Sequence, residues 1–568
     1  MGAYPQWPNL AAMLFDRARQ WGGRPMLRAF RAGAWQSKSW DRFAREAAAA
    51  ARNLRAAGVR AGDRVMILAE NGPEYPIAET ALMAIRAVPV PAYTTNTPAD
   101  HAHLLRDAGI RAAIVSTRAL AERLLEGAAL AGSLDLLVTG EPAPSVPGVR
   151  QLAWSDLVAG EAEPDDIAAE AARIPPETLA CLIYTAGTGG TPKGVMLPHR
   201  AILSNCRGAE RLVRPLSLDG GIYLSVLPLS HSYEHTVGQF FLTSIGVEVV
   251  YGRGIEHLAA DLLAIRPSLI TIVPRVLEVI RARVLGQIAR APHWQRLLFT
   301  RALANGLARL DGRPLSRAER LAEPLLERLV RRKVRARFGG RLVLAVSGGA
   351  RLEPEVGRFF LALGVPLIQG YGQTEAGPVI SATPPGVTRI ETVGPPLDGV
   401  ELAIAEDGEI LVRGDLVMLG YWNQPEATEA ALAGGWLHTG DIGLRDVDGY
   451  LRITDRKRDI IVLSGGDNIS PARIEGMLMA EPEIMQAVVT GDGEAYVSAL
   501  LVAAEGADAA SVAEAVKRAN ERLGIVERVR RHRLVPPFTQ ENGLLTPTQK
   551  IRRQLVLSAH QAVSGALR

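Results

Sequence analysis

The apolar run Leu179 to Tyr184 leads directly into Thr185-Ala-Gly-Thr-Gly-Gly-Thr-Pro-Lys-Gly194, and this junction limits the folds open to the chain. A short apolar run bounded by glycine predicts a buried strand, and the glycines after it predict a loop whose backbone N–H groups can approach an anion closely. Threonine hydroxyls add donors, and Lys193 adds a compact positive charge that a planar guanidinium would not replace without rearrangement. The segment therefore reads as a phosphate-holding loop at a strand end. It is not the GxxxxGK[ST] loop, because counting from Gly187 or Gly189 places no Gly-Lys-Ser/Thr at the required distance.

Around that junction the chain alternates. Asp41 to Ala57 carries Phe43, Ala47, Ala50 and Leu54 at helical spacing and stops at Gly58, while Arg64 to Ala69, Ala112 to Ser116 and Leu134 to Thr139 read as short strands. Such alternation predicts mostly parallel sheets with helices on their faces. After about residue 390 the texture changes, with strand pairs flanking Asp407-Gly408 and Asp448-Gly449, both hairpin signals. From Arg456 onward, strands near Gln486 to Thr490 and Tyr496 to Val502 and a helix from Ser511 to Leu523 predict a compact α+β tail. The expected fold is thus α/β: a large N-terminal domain of layered, mostly parallel sheets with a small antiparallel or barrel-like region, then a small α+β domain.

Composition excludes several classes. Lys+Arg 64 against Asp+Glu 60 leaves a net charge of +4, without the concentrated excess of a nucleic-acid binder. Cys181 and Cys206 are too few for a disulfide framework and are expected as buried thiols. No apolar run reaches the ~18 residues of a membrane span, and Met1 to Leu14 lacks a secretory pattern, so the expected location is cytoplasmic. The basic stretch Arg331 to Arg337 reads as the solvated face of a helix, with contact to anionic lipid as the alternative.

Further motifs follow in order: Ser347-Gly-Gly-Ala350, Gln369-Gly-Tyr-Gly-Gln-Thr-Glu375, Gly435-Trp-Leu-His-Thr-Gly-Asp441, Asp455-Arg-Lys-Arg-Asp459, Ser464-Gly-Gly-Asp-Asn-Ile-Ser-Pro471 and Leu545-Thr-Pro-Thr-Gln-Lys-Ile-Arg552. The first two are expected as loops at strand ends. Together with the glycine-rich loop they resemble the AMP-forming acyl-CoA synthetases of the adenylating superfamily. The likeness is closest to the long-chain fatty acyl-CoA synthetases, to which Leu-Pro-Leu-Ser-His231 is also similar. Ala186 and Gly189 depart from the family loop, which carries hydroxyls at both positions.

The resemblance implies ATP-dependent activation of a fatty acid through an acyl adenylate, followed by transfer to coenzyme A. It implies a hinge at Asp455 dividing domains 1–454 and 455–568. Thr185, Thr188, Thr191 and Lys193 would embrace phosphates, with Glu375 and Thr185 toward Mg²⁺ and Thr374 on the α-phosphate. Gly349, Ala350, Gln369, Gly370 and Tyr371 would meet the adenine side, and Asp441 with Arg456 the ribose. Lys550 would neutralise charge developing between carboxylate and α-phosphate, His231 would line the acyl site, and Gly465 and Gly466 would border a passage for pantetheine. An acyl carrier protein as acceptor, and a nucleotide binder weakened at Ala186 and Gly189, are the readings nearest to this one. His231-Ser-Tyr-Glu-His235 also fits the H-x-x-E-H zinc-peptidase pattern, a remoter alternative lacking an identifiable third ligand.

Overall fold

The structure is a computed structural model describing residues 4–160, 162–185, 192–465, 467–546 and 550–560. Ala186, Thr188, Gly189, Thr191 and Gly466 lie outside the described residues.

The helix expected at 41–57 spans Trp40–Ala56, and its start is fixed by the Ser39 hydroxyl, which accepts from the Arg42 N–H at 3.3 Å. Phe43, Ala47, Ala50 and Leu54 are all buried, so the 3.6-residue spacing marks the core-facing stripe. Burying Phe43 or Leu54 contributes roughly 1.5–3 kcal/mol each. Arg64–Leu68, Ala112–Val115 and Leu136–Thr139 are strands of a parallel five-stranded sheet completed by Val88–Pro91 and Arg150–Ala153.

A second sheet has eight strands. Its order is Val379–Ala382, Leu367–Gly372, Leu344–Ser347, Leu269–Ile272, Ile222–Ser225, Glu248–Tyr251, Pro25–Arg31 and Ala34–Ser39, parallel except for the outermost pair at each edge. The strand Leu179–Thr185 pairs antiparallel with Lys193–Pro198, to which Gly420–Tyr421 is added, so both ends of the glycine-rich loop are anchored in one small sheet. The hairpin signals at Asp407-Gly408 and Asp448-Gly449 join strands of an antiparallel four-stranded sheet, Glu401–Ile404, Glu409–Arg413, Leu437–Arg445 and Leu451–Arg456. The tail holds a short pair, Ile461–Val462 with Asn468–Ile469, and a three-stranded sheet, Ile484–Thr490, Val497–Ala503 and Val529–Leu534, with helices Pro471–Met479 and Ala509–Glu521 sharing its core. Cys181 and Cys206 are buried free thiols.

Two local expectations are corrected, at Gln369 to Gly372 and at Arg331. Gln369 to Gly372 form no loop but continue the strand Leu367–Gly372, because the glycines let the chain turn closely against Val379–Ala382; a Cβ on Gly372 would lie 1.9 Å from the Pro378 carbonyl oxygen. Asp455 lies within a strand, paired with Ile442, and the ladder extends to a Lys457 N–H donating to Gly440 O at 2.9 Å. Arg331 does not lie on a solvated face: it is buried, with its guanidinium on the Glu323 carboxylate at 2.8 Å and on the Ala302 carbonyl at 2.9 Å. Among the described residues no helix is long and apolar enough to cross a membrane.

Candidate active site

Parallel strands leave free backbone groups at their carboxyl ends, where ligands of α/β sheets bind. Here Leu269–Ile272, Leu344–Ser347 and Leu367–Gly372 end beside a cleft of ≈ 1990 Å³, which the tail closes with Thr546, Lys550 and Ile551 to Leu555. At Gly348 a Cβ would come within 3.1 Å of the Tyr233 ring, tighter than ordinary contact, and Gly349 has φ +78, a backbone that side chains disfavour.

Most of the residues singled out in the sequence converge on this cleft. Thr185, Lys193, His231, Gly349, Ala350, Gln369, Gly370, Tyr371, Thr374, Glu375, Asp441, Arg456 and Lys550 all line it. Thr188, Thr191 and Gly466 lie outside the described residues, and Gly465 is exposed in a turn away from the lining. The Gln369 amide nitrogen donates to Ile390 O at 2.6 Å and Thr392 O at 3.3 Å and so braces the wall.

The polar contacts form two groups. In the first, the Tyr371 hydroxyl donates to Asp441 Oδ2 at 2.7 Å and Arg456 Nε lies 3.2 Å from Asp441 Oδ1. Burial pushes the Asp441 carboxyl up, and Arg456 and the Tyr371 hydroxyl oppose it without overcoming it. In the second, the Tyr421 hydroxyl donates to Glu375 Oε1 at 2.9 Å while Lys193 Nζ stands 4.8 Å from the centre of the same ring. Thr374 shares a hydrogen bond with the Ser232 hydroxyl at 2.9 Å. Sequence reasoning missed both Tyr421 and Ser232: Tyr421 falls in none of the motifs, and Ser232, although inside His231-Ser-Tyr-Glu-His235, has no assigned role there.

Lys550 is tied to Thr546: its N–H donates to Thr546 Oγ1 at 3.0 Å and its carbonyl accepts from the Thr546 N–H at 2.7 Å. The side chain keeps accessible surface because the cleft is wide, yet protein surrounds it. That enclosure and then Arg456 bring its ammonium down to about 8, against the pull of Asp441 and Glu375. His231 is brought down to about 3, first by burial and then by Lys550, so it is neutral at pH 7. Its Nδ1 accepts from the Tyr233 N–H at 3.1 Å, which leaves the ring proton on Nε2.

Inward, the cleft changes character. Leu212, Val213, Val237, Phe241, Leu242 and Ile270 form an apolar wall, and Tyr223 and Thr271 line it as well. Behind these two, the buried Glu234 carboxylate accepts from Tyr223 at 2.7 Å, Ser225 at 2.6 Å and Thr271 at 2.8 Å. The zinc-peptidase pattern therefore does not assemble. Glu234 belongs to this network, His235 Nε2 contacts Glu79 Oε1 at 2.6 Å in full burial, and among the described residues no three His, Cys, Asp or Glu side chains gather to hold a metal.

Burial raises Glu234 to about 7 despite the three opposing hydrogen bonds. A folded-state value above the ordinary 4.5 means that this group's stabilisation is complete below about pH 4.5 and is lost as pH rises through about 7. Glu234→Gln is therefore expected to flatten the fall in melting temperature across that window, the two proteins diverging by at most ~1.4 kcal/mol per pH unit. Parallel curves from pH 4.5 to 8 would remove Glu234 as the titrating group.

A cleft that brings cations of both lobes beside two carboxylates and continues into an apolar chamber defines an enzyme for a polyanionic and an apolar substrate. Two family models match the chain, "AMP-binding enzyme" over residues 14–422 and "AMP-binding enzyme C-terminal domain" over 458–563. The chain belongs to the AMP-binding enzyme family. It is 33% identical to the long-chain-fatty-acid–CoA ligase FadD15 of Mycobacterium bovis, over 96% of this chain and 95% of that protein. It is 28% identical to the chloroplastic long-chain-fatty-acid–[acyl-carrier-protein] ligase AEE15 of Arabidopsis thaliana, over 90% and 80%. In fold it is similar to the anthranilate CoA ligase AuaEII in complex with anthranoyl-AMP, with a TM-score of 0.75, 21% identity and 99% of each chain covered.

Proposed function

We propose that the protein is a fatty-acid–CoA ligase acting on long chains, and that it makes an acyl adenylate from ATP before forming the thioester. The observation that carries this reading is the continuity of one cleft, charged where Lys193, Glu375, Asp441 and Lys550 face it and apolar where Val237, Phe241 and Leu242 do. A carboxylate is a poor electrophile. Its attack on the α-phosphorus forms a P–O bond and releases pyrophosphate, after which a thiolate attacks the acyl carbon and AMP leaves. The first step brings two anions together, so positioning and fixed positive charge are the main demands on the protein.

Lys193 and Thr185, which line the cleft, are assigned to hold the terminal phosphates, and Lys550 to meet the reacting carboxylate and α-phosphate. Thr374 is assigned to donate to the same phosphate, and Asp441 to accept from ribose hydroxyls. His231 presents Nε2–H as a neutral donor at the mouth of the apolar chamber. The donor set suits Mg²⁺, since one hard carboxylate at Glu375 and the Thr185 hydroxyl leave the remaining positions to water and substrate phosphate. When bound, that ion supplies neutralisation of phosphate charge. The tail is assigned to turn about the junction at Asp455, which in this arrangement keeps Lys550 in the cleft and Gly465 outside it.

The test is thioester formation by purified protein with free acids of increasing length, coenzyme A and an acyl carrier protein being offered in parallel. Expected are ATP- and coenzyme A-dependent products whose yield rises toward long chains. Product on the carrier protein alone would move the acceptor, and a preference for short or aromatic acids would overturn the long-chain assignment.

A further inference from the structure

Residues 274–337 hold sixteen Lys and Arg against five Asp and Glu, a net +11 in a chain of +4, so that the rest of the protein carries −7. The excess runs through the helices Pro274–Ala289, His293–Leu310 and Arg317–Leu326 and the helical stretch 327–336 that continues the last of them. All five acids are engaged by arginine: Glu278 with Arg275, Asp311 with Arg358, Glu319 with Arg313, Glu323 with Arg309 and Arg331, and Glu327 with Arg335. Among the described residues Arg290, Arg296, Arg301, Arg317, Arg320 and Arg328 make no ion pair, and all six are exposed.

Large apolar side chains stand exposed between these arginines. Trp294 and Leu297, 56% and 57% exposed, sit one turn apart on their helix with Arg301 a turn further along. Leu321 and Leu325, 83% and 51% exposed, are likewise one turn apart, with Arg317 a turn before. None of these side chains lines the cleft.

We infer that these helices dock on an anionic membrane surface. Unpaired arginines select negative charge, and nucleic acid would supply that charge as well. Exposed tryptophan and leucine at helical spacing decide between the two, because a bilayer interface gives such side chains an apolar phase and a phosphate backbone does not. Arginine stems can also lie along the lipid boundary while their guanidinium groups remain at the headgroups. The surface is separate from the cleft and stands or falls independently of the proposed activity.

Co-flotation of the full-length protein with vesicles of phosphatidylcholine alone, or with one third phosphatidylglycerol, tests the inference. Binding is expected only to the anionic vesicles. Each basic residue near such a surface contributes ~1 kcal/mol, about fivefold, so the triple variant Arg296→Gln, Arg301→Gln, Arg320→Gln should bind on the order of a hundredfold more weakly. The double variant Leu297→Ser, Leu321→Ser should bind anionic vesicles at low salt but release them at salt concentrations that the unaltered protein withstands. Both variants should keep thioester synthesis in vesicle-free buffer, which shows that they are folded. Equal vesicle binding by the triple variant, or binding to duplex DNA with none to vesicles, overturns the inference.

Discussion

Lys550→Ala is expected to lose acyl-adenylate formation by on the order of a thousandfold while still converting supplied acyl adenylate and coenzyme A to thioester. One positive charge at ~4 Å and an effective dielectric of about 20 contributes ~4 kcal/mol, and the carboxylate and α-phosphate carry their highest joint charge density as they meet. In the arrangement seen the ammonium feels the charges of Asp441 and Glu375 and acts on His231, and we propose that this is the adenylating state of the cleft. Because its value is lowered to about 8, the first half-reaction should weaken as pH rises through 8, and the alanine variant should lack that limb. Pyrophosphate release reports the first half-reaction, and thioester from added acyl adenylate reports the second. Equal loss of both in a folded variant would sink the assignment and favour one fixed arrangement for the whole reaction.

Motifs and periodicity made much of this molecule legible because they answer to local physics. The strand Leu179–Thr185, the helix Trp40–Ala56 and the hairpin at Asp407-Gly408 follow from burial stripes and turn chemistry within a few residues. Glycine was the ambiguous letter. At Gly349 it serves a positive φ, as a loop reading expects, but at Gly372 it permits close backbone approach inside a strand, and the same residue type gives no sign of which demand operates.

Partnerships across the chain were not legible. Tyr421 meets Lys193 across more than 200 residues and Glu375 across 46, and Lys457 reaches Asp407 and Glu409 at 2.6 and 2.9 Å, fastening the four-stranded sheet beside the junction with the tail. Arg331 stands in a basic run yet is buried, since Glu323 lies two turns earlier on the same helical stretch and turns a solvated charge into a paired one. Glu234 looked like a metalloprotease acid only while its three hydroxyl partners, on two different strands, could not be placed. Nothing in a single sequence orders such contacts, because the groups meet only after the sheets have formed.

Asp441→Ala should reduce kcat/KM for ATP about a hundredfold and leave the fold intact. Two ribose hydroxyls donating to one carboxylate form charge-assisted bonds, each contributing ~1.5 to 3 kcal/mol, and the measured loss is expected toward the lower end because water replaces part of the contact. Stability should change little. Arg456 is half exposed and the Tyr371 hydroxyl borders the open cleft, so neither partner is left stranded without solvent when the carboxylate is removed. A general loss of activity would not separate ribose recognition from disturbance of the Tyr371–Asp441–Arg456 group, and the substrate itself supplies the distinction. The unaltered enzyme should prefer ATP to 2′-deoxy-ATP, and the alanine variant should lose that preference while its KM for the acid stays within a few-fold. Asp441→Asn, which keeps one acceptor oxygen, should fall between the two. If the variant discriminates between the two nucleotides as well as the unaltered enzyme does, Asp441 is not the ribose acceptor, and its buried carboxylate serves to hold Tyr371 against the tail.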